Sequence, residues 1–159
     1  MKKILNPTYL MLLVISFGCA QKQNNTPIKV VKSEAEWKSE LSEESYRILR
    51  KAETERAFTG KYDKHFEEGI YRCAGCNQEL FMSKNKYDSK CGWPAFDNAV
   101  KGSLKFDVDY KIGIPRTEVL CSNCGGHLGH VFNDGPKETT GLRHCINSAA
   151  LEFEPSKNE

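Results

Sequence analysis

Two cysteine pairs of identical spacing constrain the fold of this chain more than any other feature. Each pair has two residues between its cysteines, and the four members are Cys73 with Cys76 and Cys121 with Cys124. A turn of that length lets both sulfurs reach one ion, and four thiolates complete the tetrahedral set that a structural Zn²⁺ takes. Such a site leaves no coordination position open, so the ion would fasten distant segments together without taking part in a reaction.

Glycines beside both pairs support this interpretation. Gly75 lies inside the first pair, and Gly125 and Gly126 follow the second, where they would let the backbone fold beneath an ion. Two disulfides could staple the same loops in an exported protein, and that alternative stays open. We predict the metal, because two copies of one spacing, each at the end of a strand-like segment, are typical of paired zinc knuckles.

The first residues have the layout of an export signal. Two lysines precede an apolar run over 9–17 and then small residues, and this run is shorter than the roughly 20 apolar residues that cross a bilayer. Cleavage after Ala20 is one interpretation. We predict instead a lipoprotein-type signal over 1–19 with Cys19 as the lipid-bearing residue, a flexible linker over 20–32, and an exported bacterial protein held in the periplasm through its lipid.

Residues 33–155 predict one domain of the α+β class with mainly β-structure. Ser33 and Glu36 form a capping box that begins a short helix, and Ser42 begins a second one. Beyond Gly60 the chain alternates apolar and polar residues in short segments that Gly, Asn, Asp and Pro separate. That pattern is typical of antiparallel strands.

Two further cysteines have surroundings that favour chemistry over packing. Cys91 opens the segment CGWPAF, and Cys145 follows Arg143 and His144 and precedes Asn147 by two positions. A nearby cation lowers the pKa of a thiol and makes it a nucleophile near neutral pH. On an extended strand, residues two positions apart share a face, which gathers Arg143, Cys145 and Asn147 toward one pocket. His144 would add positive charge when protonated, unless its ring faces the other way.

The segment HLGHVFNDGP, residues 127–136, contains two histidines, His127 and His130, and a turn at Asp134. A lone histidine is more often a satisfied core residue, but two in a glycine-containing segment directly after a cysteine pair favour a role in proton transfer or positioning. They could instead bind a metal, although the four paired cysteines already complete a site.

Together these motifs resemble the B-type methionine sulfoxide reductases. The resemblance rests on CGWPAF, HLGHVFNDGP and GLRHCINSAALEF with both cysteine pairs, and it extends over about residues 37–153. It implies two twisted antiparallel sheets with short N-terminal helices and a structural zinc away from the active site. It also implies reduction of the R epimer of methionine sulfoxide, in proteins or free.

The resemblance assigns a role to each motif residue. Cys145 would attack the sulfoxide sulfur, and Cys91 would convert the resulting sulfenic acid into a disulfide that a thioredoxin-like protein reduces. A polar set would surround the sulfoxide oxygen and the nucleophile, and an apolar set would bind the substrate. The polar set is His127, His130, Asp134, Arg143 and Asn147, and the apolar set is Trp93 and Phe132.

Two other function classes stay open. A zinc-ribbon module could bind nucleic acid or a partner protein without catalysis, but a formal net charge of +2 does not favour nucleic acid. A general thiol oxidoreductase would usually carry its redox pair as C-x-x-C near a βαβ unit. A comparison of activity on sulfoxides with activity on disulfides distinguishes a general thiol oxidoreductase from a sulfoxide reductase. In either case we expect the protein to be a monomer.

Overall fold

The structure is a computed structural model that describes residues 27–157 of the 159 in the chain. The predicted export signal over 1–19, with Cys19 as its predicted lipid-bearing residue, and the first part of the predicted linker lie outside the described residues. Within residues 27–157, no helix combines the length and apolar character that crossing a membrane requires.

Two short helices begin at the capping residues that the sequence indicates. They are α1 (Glu34–Glu40) and α2 (Glu43–Lys51). The Ser33 hydroxyl accepts from the backbone N–H of Glu36, while the Glu36 carboxylate accepts from that of Ser33, so the predicted capping box is confirmed. The Ser42 hydroxyl accepts from the Ser45 N–H at 3.1 Å and begins α2 in the same way.

The strands of the described residues form two antiparallel sheets, which confirms the predicted mainly β, α+β class. In chain order the strands are β1 (Gly69–Cys73), β2 (Glu79–Met82), β3 (Lys86–Tyr87), β4 (Ala95–Phe96), β5 (Leu104–Asp109), β6 (Arg116–Cys121), β7 (His127–Phe132), β8 (Arg143–Ile146) and β9 (Leu151–Pro155). One sheet has the order β2-β1-β9, and the other has the order β3-β4-β8-β7-β6-β5. A single 3-10 turn over Ser148–Ala150 joins β8 to β9.

Aromatic rings join the two sheets. Phe81 of β2 stacks on Phe96 of β4 with ring centroids 4.3 Å apart, and Tyr71 of β1 meets Phe96 edge-on at 5.1 Å. All three side chains are fully buried. Such pairs contribute about 0.5–1.5 kcal/mol each beyond their buried area, so this aromatic contact holds the three-stranded sheet against the six-stranded one.

The register of the six-stranded sheet places several motif residues in one row. Cys145 of β8 lies opposite Ala95 of β4 on one side and opposite His130 of β7 on the other. His130 in turn lies opposite Glu118 of β6. Because directly opposed residues share a face of a sheet, Cys145, His130 and Glu118 project to the same side, and His144 projects to the other.

Candidate metal centre and active site

The four paired cysteines converge on one point. Their Sγ atoms all lie within 4.8 Å of one another, with 3.7 Å between Cys73 and Cys124 and 3.6 Å between Cys76 and Cys121. Four thiolates around an ion at bond lengths of about 2.3 Å would lie about 3.8 Å apart at the corners of a tetrahedron. The sulfur cage therefore fits a structural metal, and all four cysteines are free.

The two cysteine loops have the same backbone construction. In each loop the residue after the second cysteine takes the left-handed conformation, with φ of 61° at Asn77 and 71° at Gly125. This conformation suits glycine and, after it, asparagine. The repeated hydrogen bonds run from Cys73 N to Gln78 O (2.8 Å), from Asn77 N to Cys73 O (2.8 Å), from Cys121 N to Gly126 O (2.9 Å) and from Gly125 N to Cys121 O (2.9 Å).

Gly75 and Gly126 serve a different purpose, because neither has a positive φ. A Cβ at Gly75 would come within 3.4 Å of Leu49 and 3.5 Å of Trp37, and a Cβ at Gly126 would lie 3.0 Å from Leu49. Gly126 therefore leaves room for α2 to pack directly on the second cysteine loop, whereas a Cβ at Gly75 would make only ordinary contacts. For Gly126, the role predicted in folding the chain beneath the ion is thus one of close packing.

A small pocket of about 80 Å³ opens beside Cys145 of β8, in the six-stranded sheet. Its wall combines apolar and polar groups, which are Trp93, Phe132, Cys145, His130, Asn147, Thr54, Arg116 and Gly129. The first five of these are residues that the sequence motifs indicate. Arg116 and Thr54 lie outside those motifs, and sequence reasoning missed both.

Four further residues of the predicted active site do not line this pocket; three of them contact a residue that does, and Asp134 contacts one of those three. Cys91 touches Cys145, and Arg143 lies over Phe132. The ring of His127 lies 5.4 Å from the ring of His130, edge to face. Asp134 contacts Arg143.

Cys91 and Cys145 form a pair of interacting thiols whose Sγ atoms lie 3.3 Å apart. The hydrogen bond from Cys145, helped by the Ser89 hydroxyl at 2.9 Å, lowers the pKa of Cys91 to about 5. The same contact, together with burial, raises the pKa of Cys145, while Arg143 opposes that rise. Since the two shifts come from one shared proton, the two thiols titrate as a pair, and loss of one proton leaves a single thiolate that both sulfurs share.

Arg143 is fixed beside this pair by two partners. Its Nε and Nη2 atoms donate to the two carboxylate oxygens of Asp134, each at 2.8 Å. Its guanidinium carbon lies 4.5 Å from the centroid of the Phe132 ring. Arg143 lowers the pKa of Asp134, and Asp134 raises that of Arg143. The bidentate pair therefore keeps a permanent positive charge near Cys145.

Each histidine of the site is held by a carboxylate, His127 by Glu118 of the adjacent strand β6 and His130 by Asp109 at the end of β5, one strand further away. Nε2 of His130 lies 2.8 Å from Oδ2 of Asp109, and Nδ1 of His127 lies 2.6 Å from Oε1 of Glu118. Burial lowers the pKa of His130, although Asp109 acts in the opposite direction. A backbone hydrogen bond from Lys111, followed by contacts with His130 and Arg116, lowers the pKa of Asp109. We therefore place the shared proton on Nε2 of His130.

Asn147 is tied to the backbone at both ends of its amide. Its Nδ2 donates to the carbonyl of Leu128 at 3.0 Å, and its Oδ1 accepts from the backbone N–H of Glu55 at 3.1 Å. The side chain is buried. Only the second hydrogen of Nδ2 remains for a ligand, so much of the role of Asn147 is to fix the pocket wall.

The expectation that His144 adds positive charge beside Cys145 is wrong. Its ring lies on the opposite face of β8, where Nδ1 is 3.1 Å from the carbonyl of Phe96 and the ring packs near Phe81. Burial lowers the pKa of His144, which favours the neutral ring. The strand alternation that gathers Arg143 and Cys145 on one side sends His144 into the core.

Comparison with known proteins gives one family. The family described as SelR domain matches residues 41–155. Among solved structures, the crystal structure of the Mis18 'Yippee-like' domain superposes with a TM-score of 0.45 at 19% sequence identity, over 58% of this chain and 100% of that chain. A likeness of that strength carries no functional inference.

Curated relatives are similar over nearly their whole length. The chain is 52% identical to a protein of Methylibium petroleiphilum over 84% of this chain and 97% of the relative. It is 52% identical to one of Agrobacterium fabrum over 82% and 96%, and 55% identical to one of Leptospira interrogans over 79% and 96%. All three are named peptide methionine sulfoxide reductase MsrB. The chain belongs to the SelR domain family, that of the B-type methionine sulfoxide reductases.

Proposed function

We propose that this protein reduces the R epimer of methionine sulfoxide, in oxidised proteins and as the free amino acid, to methionine. The observation that carries the proposal is the contact between Cys91 and Cys145 at 3.3 Å, beside a small pocket that is apolar on one side and polar on the other. That arrangement matches the two needs of the reaction, a nucleophile with a resolving thiol and a site that distinguishes methyl from oxygen.

Substrate orientation follows from the two kinds of wall. The methyl group would pack against the rings of Trp93 and Phe132, and the sulfoxide oxygen would face His130 and the free N–H of Asn147. With the methyl and oxygen sites fixed relative to Cys145, only one epimer presents its sulfur to the nucleophile with its main chain directed outward. The opposite epimer would exchange two of these groups.

The attack requires the single thiolate of the pair to lie on Cys145. Transfer of the shared proton from Cys145 to Cys91 supplies it, and the charge on Arg143 stabilises the product of that transfer. The thiolate then bonds to the sulfoxide sulfur while the oxygen takes a proton, from a protonated His130 directly or through water. Collapse leaves a sulfenic acid on Cys145 and releases methionine, so the sulfoxide gains two electrons that the cysteine sulfur loses.

The second half of the cycle uses Cys91. Its thiol attacks the sulfenic sulfur of Cys145, a disulfide forms, and water leaves. A thioredoxin-like dithiol then reduces this disulfide by exchange through a mixed disulfide. The short distance between the two sulfurs supports this route, because the resolving thiol needs little movement to reach its target.

We also propose the remaining roles. The four-cysteine cage would hold Zn²⁺, because a set of four thiolates with tetrahedral spacing suits that ion. The sequence of residues 1–19 supports export and lipidation at Cys19. The mature protein would then be a lipid-anchored monomer in the periplasm. Residues 20–32 would connect the anchor to a reductase domain over 33–155.

The first test is the stereochemistry of the reaction. Purified protein, supplied with dithiothreitol, is incubated with separated R and S epimers of a peptide that contains one methionine sulfoxide. We expect loss of the R epimer alone, and chromatography of the peptide is the measurement. Consumption of neither epimer by a folded, metal-loaded sample would contradict the proposal, and reduction of a small disulfide in place of the sulfoxide would favour a general thiol oxidoreductase.

The resolving role of Cys91 predicts a separate outcome for Cys91→Ser. The first turnover should persist, with about one equivalent of methionine formed per enzyme and a sulfenic acid left on Cys145. Turnover with a thioredoxin-like donor should fall by at least about 100-fold, because no disulfide forms for that donor to exchange with. Quenched-flow measurement of methionine gives the size of the first turnover, and a sulfenic-acid trap detects the oxidised Cys145. Unchanged turnover with the thioredoxin-like donor would contradict the resolving role of Cys91.

A further inference from the structure

We propose that Glu55 is the positioning residue that fixes Trp93 and Asn147 around the pocket, although it does not touch the pocket itself. Glu55 lies in the irregular segment between α2 and β1 and is 7% exposed. The inference rests on the proposed function, because it concerns how the substrate of that reaction is held.

The carboxylate of Glu55 anchors the turn that follows Asn147. Oε1 accepts from the backbone N–H of Ser148 at 2.7 Å, and Oε2 accepts from that of Ala149 at 2.9 Å. These are the first N–H groups of the 3-10 turn, which have no partner within the turn itself. Burial raises the pKa of Glu55, while the two backbone donors oppose the rise. The contact thus joins a buried carboxylate to the chain directly after the nucleophile strand.

The backbone of the same residue holds the pocket wall on two sides. The Glu55 N–H donates to Oδ1 of Asn147 at 3.1 Å, and the Glu55 carbonyl accepts from Nε1 of Trp93 at 3.2 Å. Thr54, the preceding residue, lines the pocket directly. One residue therefore connects the segment 52–58, the Trp93 loop and the end of β8.

The chain packs closely against one side of this carboxylate. A Cβ at Gly60 would come within 2.5 Å of Oε1 of Glu55 and 2.2 Å of the Ser148 hydroxyl. That hydroxyl also accepts from the backbone N–H of Tyr62 at 3.2 Å. Gly60 and Ser148 therefore pack against one side of the carboxylate, and its hydrogen bonds to Ser148 and Ala149 hold it there, while a cavity of about 380 Å³ borders the same residues.

Removal of the carboxylate should release the segment and loosen the two pocket residues together. We expect Glu55→Ala to raise KM for a methionine sulfoxide peptide by about tenfold or more, with a smaller change in kcat, because a displaced wall weakens binding before it alters the thiols. Glu53→Gln is the matched control. Glu53 is a neighbouring glutamate whose carboxylate pairs with the exposed Arg47 side chain, and the KM of this variant should stay within about twofold of the parent value.

A spectroscopic measurement without substrate separates positioning from simple stabilisation. The chain has two tryptophans, Trp37 and Trp93, so a Trp37→Phe background makes the fluorescence report on Trp93. In that background Glu55→Ala should increase acrylamide quenching of Trp93 by about twofold, in line with a freed ring. Glu53→Gln should leave the quenching unchanged.

Each result decides the proposal. If Glu55→Ala fails to fold, Glu55→Gln keeps one acceptor and is expected to show an intermediate KM and intermediate quenching. A variant that melts at lower temperature yet keeps the parent KM and quenching would overturn the inference, since Glu55 would then only brace the fold. An inactive parent enzyme would overturn the proposed function instead, while the quenching comparison would still decide whether Glu55 positions Trp93.

Discussion

Replacement of Cys145 by serine is expected to lower the rate of methionine sulfoxide reduction by at least about 10³-fold, which is the scale seen when a covalent nucleophile is removed. A hydroxyl is a far weaker nucleophile toward sulfoxide sulfur. Serine also cannot take up the substrate oxygen, as cysteine does when it becomes a sulfenic acid. Loss of the R epimer in the presence of dithiothreitol is the measurement. A dithiothreitol-driven rate within tenfold of the parent would rule out Cys145 as the nucleophile.

A second variant at the same position tests the shared proton of the thiol pair. The hydrogen bond from Cys145 is the largest cause of the low pKa of Cys91, which is about 5. Cys145→Ala should therefore move the Cys91 titration upward, because alanine has no donor for that contact. Thiolate absorbance against pH, with Cys91→Ser as the matched blank, would follow it. An unmoved titration would mean that the Ser89 hydroxyl and nearby charges alone set this pKa.

Loss of one metal ligand is expected to have the second large effect. Cys121→Ser should reduce the free energy of unfolding by more than about 4 kcal/mol, because the binding free energy of a structural zinc site is part of the folding free energy. A small domain has only about 5–15 kcal/mol in total. Cys121 ends β6, so the damage would extend to the loop that leads into β7.

Denaturant unfolding and metal analysis provide the measurement, with and without a strong chelator. Cys91→Ser is the control, since it makes the same chemical change outside the cage and should retain one equivalent of metal and the parent stability. A Cys121→Ser protein that keeps both the ion and the parent unfolding midpoint would contradict the assignment. So would a parent protein whose stability does not change when the chelator removes its metal.

Local rules explain the parts of the fold that the sequence predicts. Ser33 and Ser42 begin the two helices because each hydroxyl accepts from a backbone N–H three residues later, and that relation is visible in the sequence. The cysteine loops follow from spacing alone. Strand alternation likewise separates Arg143 and Cys145 from His144, and this separation decides which of the two basic neighbours can affect the nucleophile.

The carboxylates behind the histidines could not be predicted in the same way. Asp109 and Glu118 reach His130 and His127 only because β5, β6 and β7 pair in one register, and that register shifts by a residue between Val119 and Leu120. Alternation indicates which residues share a face, but it does not indicate which residue of the next strand lies opposite. The sequence does contain one sign of this arrangement, because charged residues occupy positions of the predicted strands that face inward.

The separation of the cysteines into a metal cage and a reactive pair affects how many electrons the protein can supply. All six cysteines of residues 27–157 are free, yet only Cys91 and Cys145 stand outside the four-sulfur cage. A bound metal would engage four of these six sulfurs, which leaves one thiol pair to give up two electrons per cycle. Without the ion, sulfurs 3.6 and 3.7 Å apart would become additional oxidisable pairs. The metal would then protect the stoichiometry of the repair as well as the fold.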